Sequence, residues 1–164
     1  MKKIYIVGGV ATGKTTFSKK LSKLLNIDCY ELDNLVWNDS HSIKRSDEER
    51  EKMFSEILKK ETWIIEDVGR KKFKRGLEEA DTIYFLFINK YRIYFRVLKR
   101  WIKQKFKLEP YNYKPTIKGL FEMYGWAFKD IKVRKSKLNE LHTYKHKLYI
   151  LKEKDIKSFY KSNL

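Results

Sequence analysis

One cysteine, two prolines and seven glycines in 164 residues leave this chain little punctuation. The lone Cys29 excludes an intramolecular disulfide, and its apolar surroundings mark a core position more than a reactive thiol. With so little proline and glycine no flexible linker stands out, so the length reads as one domain over 1–164, large enough for a real core. Long hydrophobic runs are missing too. The best, Ile83-Tyr84-Phe85-Leu86-Phe87-Ile88, is too short to span a bilayer and suits a buried strand. No signal-peptide core precedes the first apolar run, so the expectation is a cytoplasmic protein with no membrane partner.

Acidic residues are the remaining shortage. Asp and Glu number 21 against 38 Lys and Arg, for a net charge of +17. The imbalance is local: Lys90 to Lys147 holds 17 basic and 4 acidic residues. Such a field favours anionic partners, whether nucleotides, phosphorylated metabolites or nucleic acid. A solvated, lysine-decorated face is the plainer account of the same numbers. Hydrophobic residues at 42% and aromatics at 15% exclude a disordered chain.

What is present begins at residue 8. Gly8-Gly9-Val10-Ala11-Thr12-Gly13-Lys14-Thr15 fits G-x-x-x-x-G-K-[ST] without a mismatch. In that pattern Gly8 and Gly13 let backbone N–H groups gather around a polyphosphate. Lys14 adds a point charge for the β- and γ-phosphates, and the Thr15 hydroxyl can ligate the accompanying Mg²⁺. Thr16 extends the cradle. The flanks agree: Lys3–Val7 is a β-branched apolar run, and Phe17, Leu21, Leu24 and Leu25 recur at helical spacing. A nucleoside triphosphate is the expected ligand.

The rest alternates between strand and helix patterns. Asp28–Leu32 reads as a second strand, Thr62–Ile65 as a third, Asp81–Phe87 as a fourth and Lys147–Leu151 as a fifth. A polar stretch with Asn34, Asn38, Asp39, Ser40 and Ser42 is loop-like. Ser46 and Glu49 have capping-box spacing before a helix that buries Met53, Phe54, Ile57 and Leu58. Residues 153–161 read as a closing helix. The implied fold is α/β, a five-stranded parallel sheet flanked by helices, with ligands beyond the carboxyl ends of the strands. Residues 91–144 carry no strand pattern and read as a helical lid. Its first helix would pack through Tyr91, Tyr94, Phe95, Leu98, Trp101, Ile102 and Phe106, and Glu109-Pro110 would break it. Pro115 precedes a second helix with Leu120, Phe121, Tyr124, Phe128 and Ile131.

Carboxylates fall at two strand ends. Glu31 and Asp33 follow the second strand; Glu66 and Asp67 follow the third, as in a Walker B element. Glu31, Glu66 or Asp67 is expected to order the metal with Thr15, since Mg²⁺ keeps several waters and few protein ligands. Asp33 is the candidate to meet an acceptor hydroxyl. Arg96 and Arg100, at i and i+4 with Arg92 a turn earlier, offer guanidinium forks for a transferring phosphate. Arg70 is a further phosphate-binding candidate. Asn89-Lys90-Tyr91-Arg92 begins like a guanine-reading N-K-x-D, but Arg92 stands where the acid is required. His41, His142 and His146 lack partners at metal-ligand spacing.

These stretches together resemble a known group. Met1–Thr15, Tyr30–Trp37, Thr62–Glu66, Ala80–Leu86 and Arg96–Arg100 are similar to small bacterial P-loop proteins described as DNA-topology-modulation (FlaR-type) proteins, themselves similar to adenylate and shikimate kinases. The resemblance implies a nucleoside/nucleotide-kinase-like fold, ATP as nucleotide and a lid role for Arg96 and Arg100. Two departures stand out. Glu66-Asp67-Val68-Gly69 replaces an Asp-Gly-Asn after the third strand, and the Asp-Gly-Phe-Pro-Arg element of adenylate kinases is absent, so AMP is not indicated. The expected activity is an ATP- and Mg²⁺-dependent kinase for a small molecule or nucleotide. The alternative is a nucleic-acid-associated ATPase linked to DNA topology, binding through residues 90–147. Acceptor identity and oligomeric state are not encoded in any motif.

Overall fold

The computed structural model describes residues 2–38, 43–109 and 115–162. Asp39, Ser40, His41, Ser42 and Pro110, singled out above, lie outside them. Five strands form one parallel sheet: β1 (Lys3–Val7), β2 (Cys29–Glu31), β3 (Trp63–Asp67), β4 (Thr82–Leu86) and β5 (Leu148–Leu151). Their order is β2-β3-β1-β4-β5. The helices are α1 (Lys14–Leu25), α2 (Leu32–Val36), α3 (Asp47–Leu58), α4 (Lys74–Glu79), α5 (Lys90–Lys105), α6 (Ile117–Leu141) and α7 (Glu153–Ser162).

Alternation along β1 divides the core. Ile4 and Ile6 face one side with Phe17 and Leu21 of α1, where Phe159 and Tyr160 of α7 close the layer. Tyr5 and Val7 face the other, packing with Phe54, Ile57 and Leu58 of α3 and with Leu32, Leu35 and Val36 of α2. A parallel sheet needs both faces covered, and this division supplies it. Leu24 and Leu25, expected on the buried face of α1, are exposed. α3 starts with the expected capping box: Glu49 N–H donates to Ser46 Oγ at 3.1 Å, and Ser46 N–H donates to Glu49 Oε2 at 3.0 Å.

Three expectations are corrected. β2 ends at Glu31 and α2 starts at Leu32, so Leu32 is helical and not a strand residue, and Asn34 is helical and not a loop residue. β3 runs two residues further than its apolar core, which puts Glu66 and Asp67 inside the strand. The third concerns α5. Its buried residues are Ile93, Val97 and Gln104, whereas Tyr91, Phe95, Leu98, Ile102 and the capping Phe106 are exposed. Two residues of the expected stripe do meet α6, with the Tyr94 and Tyr124 ring centroids 5.8 Å apart and Trp101 Nε1 donating to the Thr116 carbonyl at 2.9 Å, but α6 docks along that edge and leaves the other five exposed. On α6, Phe121 and Phe128 are likewise exposed.

α5 and α6 form the helical pair expected between β4 and β5. A small third cluster of Ile88, Ile93, Val97 and Ala127 joins them to Val10 and Ala11. Among the described residues no helix is long and apolar enough to cross a membrane. The connection after β1 leads towards β2 and that after β4 towards β5, on opposite sides of the sheet. Between those two adjacent strands a crevice opens at the carboxyl ends.

Candidate active site

The loop of residues 8–13 fills that crevice. Gly8 N–H donates to the Asp67 carbonyl at 3.2 Å, which pins the loop's start to the end of β3. A Cβ on Gly8 would fall 2.7 Å from Thr12 Oγ1, so only glycine fits. Gly13 takes φ 95° and Ala11 φ 56°. These left-handed turns fold the backbone back over the start of α1. Thr12 Oγ1 donates to the Gly9 carbonyl at 2.9 Å, and Lys14 Nζ to the same oxygen at 3.1 Å. The lysine, 9% exposed, is folded over its own loop.

The N-terminus of α1 is bare. Gly13 caps it without a side-chain bond, and its first turn holds no acid. By contrast α3, α5 and α6 are capped by Ser46, Asn89 and Thr116. The orphan N–H groups of the first turn therefore face the crevice with the positive end of the helix dipole. Thr15 and the exposed Thr16 sit in that turn.

Beneath them lies Glu66, 4% exposed. Thr15 Oγ1 donates to Glu66 Oε1 at 3.1 Å and Oε2 at 3.2 Å. Burial pushes the Glu66 carboxyl above the usual glutamate range; the positive charge of Lys14 pulls it back, and Glu31 adds to the rise. Glu31 pairs with Glu66 in strand register and is held by Lys19 at 2.7 Å. Among the described residues no three His, Cys, Asp or Glu side chains form a metal cage. Thr15 and Glu66 are instead hard oxygen donors beside a phosphate cradle, which suits Mg²⁺ arriving with phosphate and water ligands.

Asp67 is oriented differently from Glu66. It is 2% exposed and accepts from Gly69 N–H at 2.8 Å and Arg70 N–H at 2.5 Å. The Arg70 guanidinium binds Asp67 and reaches across to Asp33. Burial acts to lower the Arg70 pKa, but Asp67 and Asp33 outweigh it and the net shift is upward. Arg70 thus holds Asp33, half-exposed, beyond the carboxyl end of β2 and beside Asp67 of β3.

The arginines of α5 separate. Arg96 Nη1 donates to the Thr12 carbonyl at 2.8 Å and Nη2 lies 3.4 Å from Glu153. Arg92 reaches the same glutamate at 3.5 Å. The Arg100 side chain is exposed, with no hydrogen bond or ion pair to another described residue. Beside Arg92 and Glu153 lies an open cleft of about 570 Å³, lined also by Asn89, Tyr91 and Phe95. Arg96 spans the gap between this cleft and the loop.

Sequence patterns missed the contribution of α6. Asp130 Oδ2 accepts from Val10 N–H at 2.9 Å, Arg134 Nη1 donates to the Ile88 carbonyl at 2.8 Å, and Lys137 Nζ donates to the Val68 carbonyl at 2.8 Å. Their spacing of four and three residues, which puts all three on one helix face, was the available signal.

The architecture has known counterparts. A shikimate kinase from Bacteroides thetaiotaomicron superposes with TM-score 0.55 at 15% identity, covering 96% of this chain and 92% of that one. Shikimate kinase from Acinetobacter baumannii, in complex with shikimate, gives TM-score 0.55 at 13% identity over 86% and 80%. This is a P-loop kinase fold. A gluconokinase from Sinorhizobium meliloti 1021 matches at TM-score 0.46 and 17% identity, over 60% of this chain and 65% of its own length. No family profile and no curated protein sequence matches the chain. In this P-loop kinase fold Gly8 to Thr16, Glu31, Asp33, Glu66, Asp67, Arg70 and Arg96 all gather at the carboxyl ends of the strands, whereas Arg100 stands apart.

Proposed function

We propose that this chain is an ATP- and Mg²⁺-dependent phosphotransferase for a small acceptor. The observation that carries the reading is the Thr15–Glu66 contact directly under an uncapped phosphate loop with Lys14 beside it. Phosphoryl transfer requires positioning and charge neutralisation more than covalent chemistry. Gly8, Gly9, Val10, Ala11, Thr12, Gly13, Lys14, Thr15 and Thr16 form the cradle. Thr15 and Glu66 would hold Mg²⁺, with Glu31 in support; bound there, the ion neutralises phosphate charge. Asp67 serves the site through Arg70, which fixes Asp33 where it can accept a hydrogen bond from the acceptor hydroxyl.

The cleft beside Arg92 and Glu153 is the proposed seat of the base, with Tyr91 and Phe95 as stacking surfaces. Arg96 would then turn its side chain from the Thr12 carbonyl to the phosphates, with Arg100 joining from one turn further along α5. Acceptor classes to assay are nucleosides, nucleotides and small hydroxy acids of the kind shikimate kinases take. ADP formation should rise with one such class and vanish in Lys14→Ala. No rise above basal hydrolysis for any acceptor would end the kinase reading.

A second reading has its own observation. Phe95, Phe106, Phe121, Trp126 and Phe128 are exposed on the basic 90–147 segment, where bases could stack while Lys and Arg follow a backbone. It corresponds to a nucleic-acid-associated ATPase linked to DNA topology. Binding that falls steeply with salt would support it; no binding of DNA or RNA at low salt removes it.

A further inference from the structure

We propose that Asp130 is a positioning residue of the phosphate loop, and that α6 is a strut that holds the loop ready for nucleotide. This rests on the phosphotransferase reading and adds to it a residue outside every motif. Asp130, Arg134 and Lys137 occupy one face of α6, and each bonds a different loop. Asp130 takes Val10 N–H after β1, Lys137 takes the Val68 carbonyl after β3, and Arg134 takes the Ile88 carbonyl after β4. Arg134 also lies over the Phe87 ring at 4.4 Å. One rigid helix therefore fixes the relative position of three strand ends.

Gly9 is shaped to this contact. A Cβ there would fall 3.0 Å from the Asp130 Cβ and 3.1 Å from its Oδ2, so the missing side chain makes room for the carboxylate. The bond also brackets a strained residue. Ala11 holds φ 56°, a conformation that a non-glycine residue keeps only where its surroundings impose it. Asp130 grips the N–H on one side of Ala11, and Arg96 grips the Thr12 carbonyl on the other. The two helices of the α5–α6 pair thus clamp the turn from both ends.

A carboxylate beside an anion site would repel phosphate if left bare. Lys137 Nζ stands 3.2 Å from Asp130 Oδ1 and compensates the charge. The bond falls on Val10, upstream of α1, so the N–H groups of the α1 first turn stay available. The latched loop is therefore the receptive form. Losing the latch lowers the receptive fraction, and apparent affinity falls with it.

The test uses the full chain with MgADP as probe. Affinity is read by calorimetry, and hydrogen exchange of the Val10 amide is read by NMR. Asp130→Ala should weaken MgADP about tenfold and speed Val10 exchange by at least as much, whereas Asp130→Asn, which keeps an oxygen acceptor, should stay within about threefold. Gly9→Ala, which crowds the carboxylate away, should reproduce the alanine result if Asp130→Ala does not fold. Unchanged affinity and exchange in Asp130→Ala would overturn the proposal. So would tighter binding, which would make Asp130 a competitor of phosphate. If the native protein does not bind MgADP, the phosphotransferase reading falls, and Val10 exchange still decides the strut: faster exchange in Asp130→Ala upholds it, unchanged exchange overturns it.

Discussion

The Thr15 hydroxyl donates to both carboxylate oxygens of Glu66, at 3.1 and 3.2 Å, and so joins the start of α1 to the carboxyl end of β3. The position is 4% exposed, yet a carboxylate is kept there. Burial raises its pKa and therefore disfavours the charged form that the proposed Mg²⁺ site would need. The site is held at a cost in stability.

Glu66→Gln should therefore make the unliganded protein more stable while removing Mg²⁺-dependent turnover. With the folded pKa above the unfolded one, the native state keeps its proton longer. Stability is fully present below the ordinary glutamate range and is lost as pH rises through the folded pKa. The glutamine variant lacks that slope. Its melting temperature should exceed the parent's by a few °C at neutral pH, and the two should converge in acid. Thermal melts across pH check this; a variant less stable than the parent at neutral pH contradicts it.

Arg70 and Asp33 should behave unequally although they share an ion pair. Arg70→Ala leaves Asp67 buried without its cationic partner, at a cost of about 3 kcal/mol, or roughly 10 °C in melting temperature. Asp33→Asn loosens a half-exposed contact worth about 1 kcal/mol or less. Yet Asp33→Asn should lose turnover with acceptor by on the order of 100-fold, with MgADP affinity kept. Denaturant melts beside steady-state kinetics separate the two.

Arg96 and Arg100 should differ in the ground state. Arg96 already touches Thr12, so Arg96→Ala should weaken MgADP binding before any acceptor is present. Arg100→Ala should leave that binding intact and lower kcat, by about 100-fold if the arginine meets the transferring phosphate. Equal effects of both variants on MgADP affinity would count against this division.

The outward stripe of α5 can be checked by stability alone. Ile102→Ser and Phe106→Ser should each stay within about 0.5 kcal/mol of the parent, since both side chains are exposed. Val97→Ser, at a fully buried position, should lose about 2–3 kcal/mol. Urea midpoints measure all three.

Much of this layout was legible beforehand, and the reasons differ by element. The phosphate loop, the strand runs and the Ser46–Glu49 capping box are local, each set by a few adjacent residues. Alternating helices and strands then gave the parallel sheet. The outward face of α5 could not be read in the same way. Periodicity showed that Tyr91, Phe95, Leu98, Ile102 and Phe106 share a face, but which face is buried depends on where α6 docks. The extension of β3 to Asp67 was hidden because its acids are satisfied by tertiary partners, Thr15 and Arg70. Asp130 and Lys137 escaped notice for the same reason. Their partners are backbone groups of Val10 and Val68, over 60 residues away in sequence.

The most direct test of phosphate transfer follows the γ-phosphate itself. Incubated with Mg²⁺, γ-labelled ATP and the pooled nucleosides, nucleotides and hydroxy acids, the protein should place label on one organic acceptor. Lys14→Ala and Glu66→Gln should place none. Label recovered only as inorganic phosphate, at one rate whatever the acceptor, would contradict a phosphotransferase.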